Sequence, residues 1–134
     1  MTARFLLDTH IVIRWLSDSG RLSREQMRIL REAVRRGEPL AVSALTLLEI
    51  SVMSGLPRSR REVPVRKLLA ELESYPIFRF YTVDFDIAAE VASMGDFFRD
   101  PADRAIVATA RVMKLRLLTS DQRIIDSKLV PIVD

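Results

Sequence analysis

The chain has 134 residues, with 21 Lys plus Arg against 18 Asp plus Glu, one His and no Cys, for a formal charge of +3. The absence of cysteine excludes disulfides, thiolate zinc sites and Cys nucleophiles, and the lone His10 excludes acid–base catalysis by a pair of histidines. A hydrophobic share of 49% with so little net charge argues against disorder, and the length fits one domain spanning residues 1–134.

Ala3 to Leu7 reads as a strand, and Asp8 ends its apolar run too early for a secretory signal. Thr9 to Leu16 reads as a helix, with Ile11, Val12, Trp15 and Leu16 at helical spacing. A second helix runs from Ser23, a capping residue, to Arg36, where Gly37 stops it. Pro39 to Val42 is a short strand, after which Ser43 caps an apolar helix that ends near Gly55. That apolar stretch is broken by Ser43, Thr46, Glu49 and Ser51, too short and too polar to span a bilayer, so no membrane role is expected. A polar, Arg-rich loop follows from Pro57 to Pro64, then an amphipathic segment from Val65 to Ser74. Phe78 to Val83 is a strand, Asp84 caps a helix ending at Gly95, and Asp100-Pro101 opens another that reaches about Lys114. Arg116 to Leu118 is a strand, Asp121 begins a turn or short helix, and Val130 to Val133 is a last edge strand.

Alternation of this kind predicts a three-layer α/β/α sandwich around a mainly parallel sheet of four or five strands. Right-handed crossovers start each helix that follows a strand at the carboxyl edge of the sheet, which is where such folds bind ligands. Asp8, Glu49, Asp103 and Asp121 come from four separate segments, and this topology gathers them at that edge. Each has a plain alternative. Asp8 and Asp121 suit helix or turn caps, Asp100 is fully explained as a cap, and Asp103 falls at the third helical position. Glu49 is the most informative, because Leu45, Leu47, Leu48, Ile50, Val52 and Met53 cover nearly every face of its helix, which should then be largely buried. A carboxylate there needs a cation or hydrogen bonds. Four clustered carboxylates repel one another and take up protons unless a cation intervenes, and oxygen donors suit Mg²⁺ or Mn²⁺. Thr119 is placed to orient a neighbouring carboxylate or a water. Arg104 reads as a structural or phosphate-facing cation.

Four blocks together resemble the signature of PIN domains, with spacings similar to those of the short VapC-like toxins: Phe5-Leu6-Leu7-Asp8-Thr9-His10, Ser43 to Glu49, Asp100 to Ala110, and Leu118-Thr119-Ser120-Asp121. The likeness covers essentially the whole chain. It implies an acidic tetrad of Asp8, Glu49, Asp103 and Asp121 supported by Thr119, an RNA-cleaving activity, a dimer and a neutralising VapB-like antitoxin. The expected chemistry is hydrolysis of RNA by metal-activated water with Mg²⁺ or Mn²⁺, two such ions standing about 3.5–4 Å apart if both bind. It leaves 5′-phosphate and 3′-hydroxyl ends, because the 2′-hydroxyl is not needed. An antitoxin can inhibit by inserting a basic side chain among the carboxylates.

Substrate or antitoxin contact is expected from Arg58, Arg60 and Arg61, with Arg66 and Lys67 close behind. Trp15, Phe97 and Phe98 are candidates for stacking on bases, although Trp15 sits better in core or dimer packing, and Trp15 or Leu72 is a natural residue for a dimer to bury. His10 is expected to pack or hydrogen-bond near the first helix. The compartment compatible with a cysteine-free chain is the reducing cytoplasm. Three rival readings compete with this one. A phosphoryl-accepting receiver domain needs an acidic neighbour for Asp8 and a Lys soon after Leu118, and has neither. A haloacid-dehalogenase-type phosphatase needs an acid where His10 stands. A non-catalytic PIN domain that binds nucleic acid or acts as a scaffold is the alternative that the motifs leave open.

Overall fold

In the computed structural model, which describes residues 1–53 and 64–134, β1 (Phe5–Leu7) is the middle strand of a parallel sheet. It is flanked on one side by β2 (Leu40–Ser43) and β3 (Phe78–Tyr81), and on the other by β4 (Arg116–Leu118) and β5 (Ile132–Val133). Among the described residues the order is β3-β2-β1-β4-β5, with every pairing parallel. The helices are α1 (Thr9–Ser17), α2 (Arg24–Arg36), α3 (Ala44–Met53), α4 (Val65–Ser74), α5 (Phe85–Ser93), α6 (Pro101–Met113) and α7 (Gln122–Ser127). This is the α/β/α sandwich the alternation predicts, with β4 at its expected bounds, β2 shifted by one residue, and β1, β3 and β5 shorter than the sequence suggests.

The period of two along each strand divides the core between the two faces. Phe5, Leu7, Leu40, Val42 and Phe78 point to the layer that holds Ile11, Val12, Ile29, Leu30, Ile50, Leu68 and Leu72, from α1 to α4. Leu6, Ala41 and Leu117 point the other way, toward Ile87, Ile106, Val107, Ala110 and Ile124 of α5 to α7. The run of small residues in α6, buried from Ala105 to Ala110, lets that helix lie close against the sheet.

Local chemistry sets the helix ends. Ser23 and Gln26 form a reciprocal capping box at α2. Gly37 closes α2 in the left-handed region (φ 66°), with its N–H and that of Glu38 returning to Val34 and Ala33. Among the described residues no helix is long and apolar enough to cross a membrane.

Two expectations change and a third is borne out. The α3 helix is not largely buried: only Thr46 and Ile50 are, while Leu48 and Val52 are 62% and 61% exposed. The helix lies in an outer layer, so only the side facing the sheet is covered. Leu72 is 1% exposed and belongs to the core, which removes it as a dimer-contact residue. Trp15 packs edge-on against Phe78, with ring centroids 5.9 Å apart, as core packing requires.

Candidate functional site

The chain runs from β1 outward to β3 on one side and then continues with β4 and β5 on the other. The topological switch therefore falls between β1 and β4. Leu7 pairs with Leu118, so the residues that leave these two strands together are Asp8 and Thr119. Asp8 caps α1, and its Oδ1 accepts from the Thr9 N–H at 2.8 Å. Its Oδ2 accepts from the Thr119 hydroxyl at 2.7 Å. That hydroxyl also accepts from the Asp121 N–H at 3.0 Å, so one oxygen fixes both the first acid and the turn carrying the last. Behind it, the fully buried Gln26 donates to the Thr119 and Val133 carbonyls at 3.3 and 3.1 Å. Nothing in the sequence of α2 marked Gln26 for this role.

Glu49 is half-buried on the second turn of α3. Its Oε1 accepts from the Thr9 hydroxyl at 2.6 Å, and Thr9 in turn lies 2.9 Å from the hydroxyl of the buried Thr46. A carboxylate only accepts, so Thr9 gives its proton to Glu49 and Thr46 gives its own to Thr9. Burial pushes the Glu49 carboxyl up, the Thr9 bond pulls it down, and Asp8 and Asp100 push it up further. Thr9→Val is therefore expected to raise the titration of Glu49, which NMR titration of its carboxyl carbon would follow. A downward or absent shift would mean that the hydroxyl does not hold the ionised acid.

Asp103, one turn into α6, is pushed up to about 6 by burial first and then by Asp100 and Asp8, with Asp121 adding to them and Arg123 opposing them. Asp100 caps α6 through the Ala102 N–H at 2.9 Å, as the sequence suggests. It also acts on Glu49 and Asp103, which makes it a fifth acid of the cluster that capping alone had seemed to explain. Asp121 caps α7. Arg123 Nη2 donates to Asp121 Oδ2 at 2.8 Å and to Asp103 Oδ2 at 3.1 Å, and its Nε donates to Asp121 Oδ1 at 3.2 Å. This guanidinium holds the Asp121 carboxyl down. The bridge joins residues 20 apart and could not be read from the sequence.

The neighbouring candidates fall into place by contact. His10 Nε2 accepts from the Ser120 N–H at 2.8 Å and its Nδ1 lies 3.5 Å from Asp8 Oδ2, so the neutral ring stitches the β4–α7 turn to Asp8. Burial is the main cause holding its pKa down, in keeping with that neutral form. Arg104 donates from Nε to the Phe98 carbonyl, the structural of the two roles considered for it. Phe98 is 3% exposed and cannot stack on a base, while Phe97 is exposed. Arg58, Arg60 and Arg61 lie outside the described residues. A cleft of about 600 Å³ beside the cluster is lined by His10, Arg14, Arg21 and Lys67 among others. A larger one of about 1180 Å³, around Trp15, Tyr75 and Phe78, is lined by none of the five acids.

Hard carboxylate oxygens backed by hydroxyls are the donor set of Mg²⁺ or Mn²⁺ rather than of a softer metal, so the residue chemistry fits such an ion. The carboxyls of Glu49 and Asp103 are raised mainly by burial, with neighbouring acids adding to the effect, so a bound cation would relieve both causes. The side chains are not yet arranged as a cage. Among the described residues no three acidic or imidazole groups are placed to grip an ion, and Thr9, Thr119 and Arg123 hydrogen-bond to oxygens of Glu49, Asp8 and Asp103.

Comparison with known proteins agrees with this architecture. The profile of the PIN domain family matches residues 5–128. Ribonuclease VapC22 of Mycobacterium tuberculosis is 32% identical over 120 residues, covering 89% of this chain and 88% of that protein. Among solved structures, FitAcB from Neisseria gonorrhoeae superposes with a TM-score of 0.71 at 22% identity, covering 97% of this chain and 96% of that one. DNA-bound VapBC from Salmonella typhimurium gives 0.71 at 18% identity, covering 99% and 98%.

Proposed function

This chain belongs to the PIN domain family, and on that premise we propose that it is a divalent-metal-dependent endoribonuclease, the toxin half of a VapBC-type toxin–antitoxin pair. The observation that supports the reading is that Asp8 leaves β1 beside Thr119 at the switch point between β1 and β4, close enough to act electrostatically on Glu49 and Asp103, with Asp121 acting on Asp103 in turn. The ribonuclease relative supports the reaction, and the toxin–antitoxin complexes among the structural relatives support the partner.

Asp8, Glu49, Asp103 and Asp121 would hold Mg²⁺ or Mn²⁺, with Asp100 adding charge from the cap of α6. When bound, such an ion supplies a Lewis acid that acidifies water and offsets charge on the scissile phosphate. Thr119 fixes the Asp8 carboxylate and Thr9 fixes that of Glu49, so both acids keep their orientation without reorganising during the reaction. The neutral His10 serves as a clasp for the β4–α7 turn rather than as a proton carrier. Residues 1–134 act as a single PIN domain, with RNA as substrate, a VapB-like antitoxin as partner and the cytoplasm as the compartment. Arg58, Arg60 and Arg61 remain proposed contacts for RNA or antitoxin. A second copy would cover exposed apolar residues such as Leu48 and Val52 of α3 rather than Leu72.

The test compares wild type with Glu49→Gln on total RNA, with fragment ends mapped by sequencing. Wild type should cut in Mg²⁺ or Mn²⁺, leave 5′-phosphate ends and stop in EDTA. Glu49→Gln should lose about a hundredfold or more in rate, as expected when a group needed in the transition state is removed. Cleavage that survives both EDTA and Glu49→Gln, or that leaves 2′,3′-cyclic phosphate, rules out the reading.

A further inference from the structure

Arg123 is the one described cation with direct hydrogen bonds to two members of the acidic tetrad. It stands two residues past Asp121 on the first turn of α7, with a side chain 64% exposed. The acids it joins are much less exposed, at 13% for Asp103 and 22% for Asp121. A single nitrogen lies 3.1 Å or less from an oxygen of each acid. A cation bridging those same oxygens at about 2.1 Å from each would leave no room for the guanidinium and would repel it.

We propose that Arg123 is a resident counter-cation that occupies the Asp103–Asp121 side of the cluster and must be displaced before a divalent ion can bridge the two acids. The inference rests on the metal reading given above and adds the residue against which metal affinity is set. Two features make the exchange workable. The Arg123 side chain leads out into solvent, so leaving the acids needs side-chain rotation and no movement of α7. The remaining acids stay fixed when it leaves, because Asp8 and Glu49 are held by Thr119 and Thr9 rather than by any Arg. A guanidinium also matches two carboxylates geometrically in a way an ammonium does not, so the effect is tied to Arg and not merely to positive charge.

The test is calorimetric titration of Mn²⁺ alone, without RNA, into wild type, Arg123→Gln, Arg123→Lys and Arg14→Gln, with melting temperatures taken in EDTA and in excess Mn²⁺. Arg14 donates to the Ser120 hydroxyl, beside the site but on none of the acids, so it controls for a general loss of positive charge. Arg123→Gln should bind Mn²⁺ about tenfold tighter, equal to about 1.4 kcal/mol. Arg123→Lys should fall between it and wild type, and Arg14→Gln should stay within about threefold of wild type. In EDTA Arg123→Gln should melt below wild type, and excess Mn²⁺ should close that gap. The inference is overturned if Arg123→Gln binds Mn²⁺ no tighter than wild type, or if Arg14→Gln tightens binding equally. Failure of wild type and all variants to bind Mn²⁺ would overturn the metal reading itself, and this inference with it.

Discussion

Asp103→Asn should abolish RNA cleavage and, in the absence of metal, yield a protein that melts higher than wild type. The loss of activity follows from removing one of four acids proposed to hold the ion. A drop of about a thousandfold, roughly 4 kcal/mol of activation free energy, is the expected scale. The gain in stability follows from the surroundings. The Asp103 carboxyl is pushed up to about 6 by burial, Asp100, Asp8 and Asp121, with Arg123 as the only opposing cause. The folded protein therefore holds this proton more tightly than the unfolded chain does. Stability from this group is full below the ordinary Asp value near 4 and is lost as pH rises through about 6. At neutral pH the charged carboxylate is a net burden, and Asn removes it. Its position near the start of α6 works the other way, since an anion there gains about 0.3–1 kcal/mol from the helix dipole. Burial together with three nearby acids should outweigh that one helix end. Thermal melts in EDTA across pH 4 to 8 check this: wild type should fall relative to Asp103→Asn as pH passes about 6. A variant that melts lower than wild type at pH 7.5 would contradict the reading of the cluster as under-neutralised. Saturating Mn²⁺ should reverse the order, because it stabilises only the protein that binds it.

The second large effect lies away from the acids. Gln26→Leu preserves side-chain volume but should cost about 2–3 kcal/mol of unfolding free energy, measured by urea denaturation. Gln26 is fully buried and makes three hydrogen bonds: to the Thr119 carbonyl, to the Val133 carbonyl and from the Ser23 N–H. The Val133 carbonyl keeps a second donor in the Thr119 N–H, so its loss is partial. The Thr119 carbonyl and the part-buried Ser23 N–H are the groups left exposed to the penalty of a missing partner. Because the Thr119 hydroxyl steadies both Asp8 and the Asp121 turn, the variant should also cut more slowly at temperatures where it is fully folded. Unchanged stability would mean that water replaces the amide at no cost.

What the sequence disclosed and what it hid divide along physical lines. Caps such as Asp8, Ser23, Asp84, Asp100 and Asp121 depend on atoms within a few residues, so residue type and position revealed them. The sheet was legible because hydrophobic alternation and crossover handedness constrain it. The meeting of Asp8 and Thr119 at the carboxyl edge followed from that topology. The hydroxyl relay of Thr46, Thr9 and Glu49, the Arg123 bridge and the Gln26 clasp depend on which side chains meet across 20 to 107 residues of chain, and no local pattern encodes that. The burial of α3 was misjudged for a related reason. Apolar residues on every face show that a helix tolerates burial, but not that this chain provides a layer on both sides.

The pairing of Leu7 with Leu118 has a consequence for how such a protein is made. The central strand leaves the ribosome well before the neighbour that completes the switch point, since 111 residues separate Asp8 from Thr119. Parallel contacts so distant along the chain form slowly and late. A nascent chain stalled before residue 119 has neither the hydroxyl that steadies Asp8 nor the final acid. On the proposed reading, the site that would cut RNA is complete only once Thr119 and Asp121 have been made.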